Sequence, residues 1–163
     1  MKQPYRNLDN RPVMSGQRSM KLNSEKLGEI QYEEDEVVTF PEGLLGFPEK
    51  KRYVFVDHRQ ESPLKWLQCL DDSSLSFVVI NPLLFKGDYQ IQVDKKDLAL
   101  LGNSDPGCIT IWTLVSFSPD APEASTANLL GPLAINCESR LGRQLVLDPT
   151  KYDLRYPIFQ RKD

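Results

Sequence analysis

Few side chains in this 163-residue chain are suited to chemistry, and their spacing is poor for it. His58 is the sole histidine. A cysteine beside it would make a thiolate–imidazole pair able to attack a carbonyl. Cys69, Cys108 and Cys137 are the only cysteines, and each lies in an apolar, strand-like run. There a cysteine more often serves as a small buried hydrophobe. Zinc wants cysteines and histidines clustered at short spacing, and the sequence has no such cluster. Asp71 and Asp72 are adjacent carboxylates, which could bind a cation or exchange protons. Two such residues between strand-like runs more often close a turn through Asx hydrogen bonds. No glycine-rich phosphate loop, His-Glu-x-x-His run or Gly-x-Ser-x-Gly run occurs. The residues assign no catalytic group, metal or cofactor and point away from an enzyme, towards a binding module.

Charge gives two further features. Lys50-Lys51-Arg52 directly precedes the aromatic run Tyr53-Val54-Phe55, a basic–aromatic pairing that can stack single-stranded bases. A solvated strand end explains the same residues. Glu25, Glu29, Glu33, Glu34, Asp35 and Glu36 crowd one short region. That region either docks a basic protein or is a solvated turn carrying solubilising charge. Residues 1–21 hold Lys2, Arg6, Arg11, Arg18 and Lys21 against Asp9, a net +4, so the rest of a chain of net −3 carries −7. An acidic body repels nucleic acid and favours basic protein partners.

The elements that must position these residues are mostly strands. Gly28–Tyr32 and Glu36–Phe40 flank the acidic turn Glu33-Glu34-Asp35 and read as a hairpin. Arg52–Asp57 is rich in β-branched and aromatic residues, as strands prefer. Lys65–Leu70 and Leu75–Ile80 flank Asp71-Asp72-Ser73-Ser74 and make a second hairpin. Tyr89, Ile91 and Val93 alternate with Gln90 and Gln92, the pattern of a half-buried strand. In Cys108–Phe117, apolar residues occupy both faces, so both faces are covered. Leu129–Cys137 and Gln144–Leu147, joined by a turn at Ser139–Gly142, complete the set. One short helix is expected over Lys95–Leu101, with Asp94 as cap, Asp97 completing a capping-box variant and Gly102 as terminator. The expectation is an all-β fold: a small antiparallel β-barrel or sandwich of about eight or nine short strands with one short helix.

The length suits one domain. Residues 1–20 read as a disordered basic leader and 21–160 as a single domain. No apolar run approaches the roughly 18–20 residues that span a bilayer, and the N-terminus lacks the apolar core of a signal peptide. An odd cysteine count without close pairing in sequence argues against a disulfide framework and fits a reducing cytoplasm. A cytoplasmic protein, monomeric when free and making no membrane contact, is expected.

The segment Phe40-Pro41-Glu42-Gly43-Leu44-Leu45-Gly46-Phe47-Pro48 packs prolines, glycines and large apolar residues together. Proline fixes φ and glycine permits φ > 0, so this is a structured turn. Its apolar residues must anchor the loop to a core or meet a partner. With three later segments it carries a family resemblance. These are Pro63–Asp72 continuing through Leu75–Pro82, then Asp88-Tyr89, then Ala127–Asn136 followed by Arg140-Leu141-Gly142-Arg143-Gln144. In their order and spacing, residues 20–159 resemble the flagellar assembly factor family, FliW. The departures are small: Gly131 stands where the family more often has alanine, Cys69 where it often has serine, and the basic leader lies outside the pattern.

The resemblance implies a β-barrel-like domain and a non-enzymatic cytoplasmic protein with two exclusive partners. One is flagellin before export. The other is the carbon storage regulator CsrA, an RNA-binding repressor of flagellin translation. CsrA would be captured beside its RNA surface rather than by mimicry of RNA, and no direct nucleic-acid contact is implied. The candidate protein-binding residues are Glu33, Glu34, Glu36, Asp71 and Asp72 on the acidic side. On the apolar side they are Leu44, Leu45 and Phe47 on the loop, and Pro82, Leu83 and Phe85 after Leu75–Ile80. An amphipathic helical terminus of flagellin would bury its anchors against the apolar set; the same residues could instead plug the barrel ends. The alternatives are a single-stranded RNA-binding barrel and a small enzyme of unrecognised type.

Overall fold

A computed structural model describes residues 19–57, 62–102 and 106–159. Among these, eleven strands and one short α-helix form an all-β, sandwich-like fold. The strands are β1 (Ser19–Ser24), β2 (Gly28–Glu33), β3 (Val38–Thr39), β4 (Arg52–Asp57), β5 (Lys65–Cys69) and β6 (Ser76–Ile80). They continue as β7 (Ile109–Ser116), β8 (Thr126–Ala127), β9 (Leu133–Asn136), β10 (Gly142–Gln144) and β11 (Tyr156–Pro157), with α1 (Lys95–Leu100) before β7.

The main sheet is an antiparallel meander from β3 to β7 that divides at β7. The first half of β7, Ile109–Trp112, pairs with β9, and β9 with β10. Val115 and Ser116 at its other end pair with β8, which takes β11 on its far side. The sheet curls until its ends nearly meet. Thr39 of β3 forms a single parallel bridge with Leu141, just before β10, and Thr39 N–H donates to Arg140 O at 2.9 Å. One bridge is not a ladder, so the sheet is strongly curved but not a closed barrel.

Side chains alternate across each strand, so one face of the curled sheet forms the core. Val38, Phe40, Tyr53, Leu67, Cys69, Val79, Trp112, Leu133 and Ile135 meet there, with Phe55, Phe77 and Leu114 packed around them. Phe40 meets Tyr53 edge-on at 5.5 Å, and Phe55 lies against Trp112 at 5.1 Å. The outer face is covered in patches. The β1–β2 hairpin lays Ile30 and Tyr32 on Val54 and Val56 of β4. The segment after α1 packs Leu101 with Ala134 and Leu145, together with Ile91, Val93, Ile109 and Ile111. The outer face of β7 is therefore covered only in part: Ile109 and Ile111 join this cluster but stay half-buried, short of the full cover that its composition predicts.

Several expectations hold closely: β4, the β5–β6 hairpin and the α1 cap, where Asp94 Oδ1 accepts from Asp97 N–H at 2.8 Å. Others need correction. Gly28–Tyr32 does not pair with Glu36–Phe40. β2 pairs with β1 instead, and β3 with β4. The acidic turn forms one turn of 3-10 helix, Glu34–Glu36, in which Glu36 Oε1 accepts from Glu33 N–H at 2.9 Å. That turn redirects the chain from the outer hairpin to the main sheet. Tyr89–Val93 keeps its alternating burial but joins no ladder. Asp97 does not complete a capping box; its carboxylate receives Arg143 Nε at 2.7 Å. Leu129–Cys137 contributes only Leu133–Asn136 as strand, and the last expected strand falls earlier, at Gly142–Gln144. The expected leader meets the structure only at Ser19 and Met20, which begin β1; residues 1–18 lie outside the described residues.

Candidate functional site

The loop between β3 and β4 is fixed by its backbone. Gly43 and Gly46 take φ of 69° and 87°, conformations open to glycine. Phe47 N–H donates to Leu44 O at 2.8 Å and Gly43 N–H to Phe40 O at 2.8 Å. This double turn drives Phe40 and Leu44 into the core and lifts Leu45 to 63% exposure at the tip. Phe47 lies between: 36% exposed, with its ring edge-on to Phe77 at 5.4 Å. Gln144 of β10 clamps the tip. Its Oε1 accepts from Leu45 N–H at 2.8 Å and its Nε2 donates to Gly131 O at 2.9 Å. Of the three loop candidates, Leu44 is an anchor, while Leu45 and Phe47 reach the surface.

After β6 the chain makes a 3-10 turn, Pro82–Leu84, whose first N–H groups need partners. Asn81 Oδ1 caps it by accepting from Leu83 N–H at 3.0 Å. The turn buries Pro82, tilts Phe85 onto Tyr156 at 5.8 Å, and leaves Leu83 52% and Leu84 45% exposed. Pro82 and Leu83 form one wall of an open groove of about 900 Å³. Its floor is Ile109 and Ile111 of β7, and the other walls include Ile91, Leu147 and Tyr152. Tyr89, also in the wall, is fixed by donating its hydroxyl to Leu129 O at 2.8 Å. Burial pushes the Tyr89 phenol well above its ordinary pKa, so it stays a neutral donor. A smaller depression lined by Val93 and Leu98 shares Ile91, Ile109 and Ile111 with the groove and extends it towards α1.

The acidic candidates gather elsewhere, around the β5–β6 turn and the start of β4. Asp71 Oδ2 accepts from the backbone N–H groups of Lys51 and Arg52 at 2.8 and 3.1 Å. Asp72 Oδ1 accepts from the Ser74 hydroxyl at 2.6 Å and the Ser74 N–H at 3.0 Å, and Lys50 lies 3.8 Å away. The Ser74 hydroxyl first, then its N–H, hold the Asp72 carboxyl below its ordinary pKa. The β1–β2 turn is stitched to the same place by Glu25 N–H donating to Ser73 O at 3.1 Å, and by Ser24 donating to Gln68 Oε1 at 2.7 Å. Glu34 pairs with Arg52 Nη2 at 2.8 Å, Glu33 is half-buried and Glu36 caps its turn. The acidic residues are thus interleaved with Lys50 and Arg52. The loop and 3-10 turn candidates do not join them in one site; only Pro82 and Leu83 line the groove.

The basic–aromatic reading loses its geometry here. Arg52 and Lys50 are in ion pairs, Tyr53 is fully buried, and Phe55 packs on Trp112. His58 and Arg59 lie outside the described residues. Cys69 is buried in the core, and burial raises its thiol pKa. Among the described residues no three or more histidine, cysteine, aspartate or glutamate side chains could hold a metal ion together. No described helix is long and apolar enough to cross a membrane. The groove residues that sequence reasoning missed are Ile91, Ile109, Ile111, Leu147 and Tyr152. The alternation in Tyr89–Val93 signalled Ile91, but nothing local signalled that these segments share one wall.

The family described as FliW protein matches residues 21–158. A "Flagellar assembly factor FliW" from Natranaerobius thermophilus is 40% identical over 140 residues, covering 86% of this chain and 93% of that protein. One from Caldanaerobacter subterraneus is 37% identical over 142 residues, covering 86% and 94%. A crystal structure of the flagellar assembly factor FliW superposes with a TM-score of 0.80 at 30% identity, covering 88% of this chain and 100% of that one. A match running from β1 to β11, in sequence and in fold, shows that this chain belongs to the FliW family of flagellar assembly factors.

Proposed function

We propose that this protein is a cytoplasmic, non-enzymatic exchange module that holds flagellin before export and, once flagellin leaves, captures the translational repressor CsrA. The single domain over residues 21–160 is the binding unit, monomeric when free and without direct nucleic-acid or membrane contact. The observation that carries the flagellin half is the groove of about 900 Å³ between the Pro82–Leu84 turn and the floor of β7. Its lining is about half polar, with Asn81, Gln90, Gln92, Thr110, Asp148 and Lys151 set among its apolar residues. An amphipathic helix recognised by apolar anchors and polar edges suits such a groove. The exposed Leu83 in its wall supplies apolar surface that gains on burial.

The CsrA half rests on charge. A body of net −7 docked beside a basic RNA-binding surface repels incoming phosphates, and like charges at short range cost up to several kcal/mol where water is partly excluded. Repression is then relieved without occupying the RNA site.

Both halves are tested with purified components. Flagellin and CsrA are each titrated onto the full chain by calorimetry, then against each other. Mutual displacement is expected, with Leu83→Asp weakening flagellin binding at least tenfold while the fold is retained. Glu33→Lys, Glu34→Lys and Glu36→Lys together should reduce the antagonism of RNA binding, most at low salt. Failure of either protein to bind, or simultaneous binding of both, rejects the exchange.

A further inference from the structure

Cys108 and Cys137 are 29 positions apart in sequence, yet the register of β7 and β9 makes them direct neighbours. Ile109 faces Asn136 in the antiparallel ladder, so the next opposed pair is Cys108 and Cys137. Cys137 N–H donates to Cys108 O at 2.9 Å, which continues the ladder by one step. Opposed residues of an antiparallel pair project to the same side, with Cα atoms about 5.5 Å apart when hydrogen-bonded. That is within the 4.4–6.8 Å range of disulfides. Both residues are half-buried and both thiols are free, whereas Cys69 is sealed in the core.

We propose that Cys108 and Cys137 form a redox-active dithiol that closes to a cross-strand disulfide under a low-molecular-weight disulfide such as oxidised glutathione. The surroundings favour closure at this point. Asn136 pins the Cys137 side: its Oδ1 accepts from Glu138 and Ser139 N–H at 2.8 and 3.1 Å, and its Nδ2 donates to Leu101 O at 2.8 Å. Cys108 ends a short 3-10 turn, Pro106–Cys108, rather than lying inside a ladder, so the small approach of the two Cβ atoms falls on it. Exposed or strained disulfides are the readily reduced ones, as a reversible switch requires.

The two sulfurs have different roles. Glu138 Oε1 accepts from Cys108 Sγ at 3.0 Å. That bond, then burial, then the Glu138 charge and the neighbouring Cys137 thiol push the Cys108 thiol up to about 12. Cys108 is therefore held as a thiol, and Cys137 attacks first. Its thiolate breaks the glutathione S–S bond, forms a mixed disulfide and expels one glutathione thiolate. Cys108 then loses its proton, attacks the Cys137 sulfur of the mixed disulfide and expels the second glutathione. Two protein thiols are oxidised by two electrons, one oxidised glutathione is reduced to two thiols, and the two protons leave on them. The crosslink would lock the end of β7 next to Ile109, in the floor of the groove.

The test uses the reduced full chain in glutathione buffers of rising oxidised fraction. Open thiols are trapped with N-ethylmaleimide after acid quenching and unfolding, and read by intact mass and peptide mapping. The expected product is a monomer in which only Cys69 is alkylated and one peptide pair joins Cys108 to Cys137. Cys69→Ser should keep that crosslink, while Cys108→Ser and Cys137→Ser should stop at a glutathione adduct or an open thiol. The proposal is overturned by wild-type protein that keeps all its thiols open or carries only adducts throughout the series. It is equally overturned by a crosslink that runs through Cys69 or joins two chains.

Discussion

Gln144 holds Leu45 across 99 positions of sequence, its side-chain oxygen accepting the Leu45 N–H at 2.8 Å. The same amide donates to Gly131 O at 2.9 Å, so one side chain ties the exposed loop tip to β10 and to the turn before β9. The loop is a preformed part of the surface because its ends are plugged by Phe40 and Leu44 and its tip is clamped by Gln144.

Removing the clamp hands the exposed Leu45 N–H to water and leaves the part-buried Gly131 O without its side-chain donor. Gln144→Ala is expected to lower unfolding free energy by about 1–3 kcal/mol, the usual cost of stranding such a group. Urea denaturation checks this, and amide exchange at Leu45 should accelerate more than exchange in the core strands.

Gly43 and Gly142 are places where a methyl group has no room. A Cβ at Gly43 would lie 2.6 Å from Pro48 Cα, in a backbone with φ of 69°. A Cβ at Gly142 would lie 2.5 Å from the buried ring of Phe40. Each alanine variant is expected to lose roughly 1–3 kcal/mol or more through overpacking, and Gly43→Ala adds backbone strain. Thermal melts of the two variants, with Gly87→Ala as an open-space comparison, provide the measurement.

Lys65 points inward from β5 and is 4% exposed, paired to Asp57, whose side chain is 66% exposed. Only the lysine end of this pair is buried, so an apolar replacement removes the desolvated charge, whereas removing the carboxylate strands it. Lys65→Met should therefore be neutral or stabilising, and Asp57→Ala destabilising. Denaturant midpoints that fall equally in both variants would contradict this ordering.

Asp72 sets a pH dependence. Its folded pKa is depressed below the ordinary 3.8, chiefly by Ser74. A depressed carboxyl contributes stability that is present above the unfolded pKa and lost as pH falls through the folded one. Stability should fall below about pH 4, near the unfolded aspartate value. Asp72→Asn should flatten that part of the profile relative to wild type. Parallel profiles down to pH 2.5 would show that Asp72 is not responsible.

Phe85 and Leu83 separate packing from recognition. Phe85 rests on Tyr156 and joins the cluster of Leu64, Ile80 and Ile158, so Phe85→Ala should lower the melting temperature. Leu83 is half exposed at the groove rim, so Leu83→Asp should leave melting unchanged and alter only partner binding. Calorimetry and melting curves on both variants distinguish the two roles.

Much of this molecule is written locally. The β-branched and aromatic run Arg52–Asp57, the Asp71–Ser74 turn, the Asp94 cap and the double-faced β7 each follow from short-range pattern, because burial period and turn chemistry act over a few residues. The anchored character of Phe40–Pro48 was legible for the same reason. Pairing was not. The acidic run after β2 has the composition of a hairpin turn, but Glu36 caps a 3-10 turn instead, and β2 finds its partner in the mostly polar strand Ser19–Ser24. Tyr89–Val93 has a strand's alternation without a strand's ladder: its apolar side chains are buried by packing, while Gln90 O accepts from the Tyr152 hydroxyl at 2.6 Å instead of from a strand. The groove and the Cys108–Cys137 pair were likewise invisible, because each joins segments distant in sequence. The residues fixed which faces are apolar and where the chain turns; only the curling of one sheet back towards itself decided which of those faces meet, since long-range pairing depends on the whole curved surface rather than on any local run.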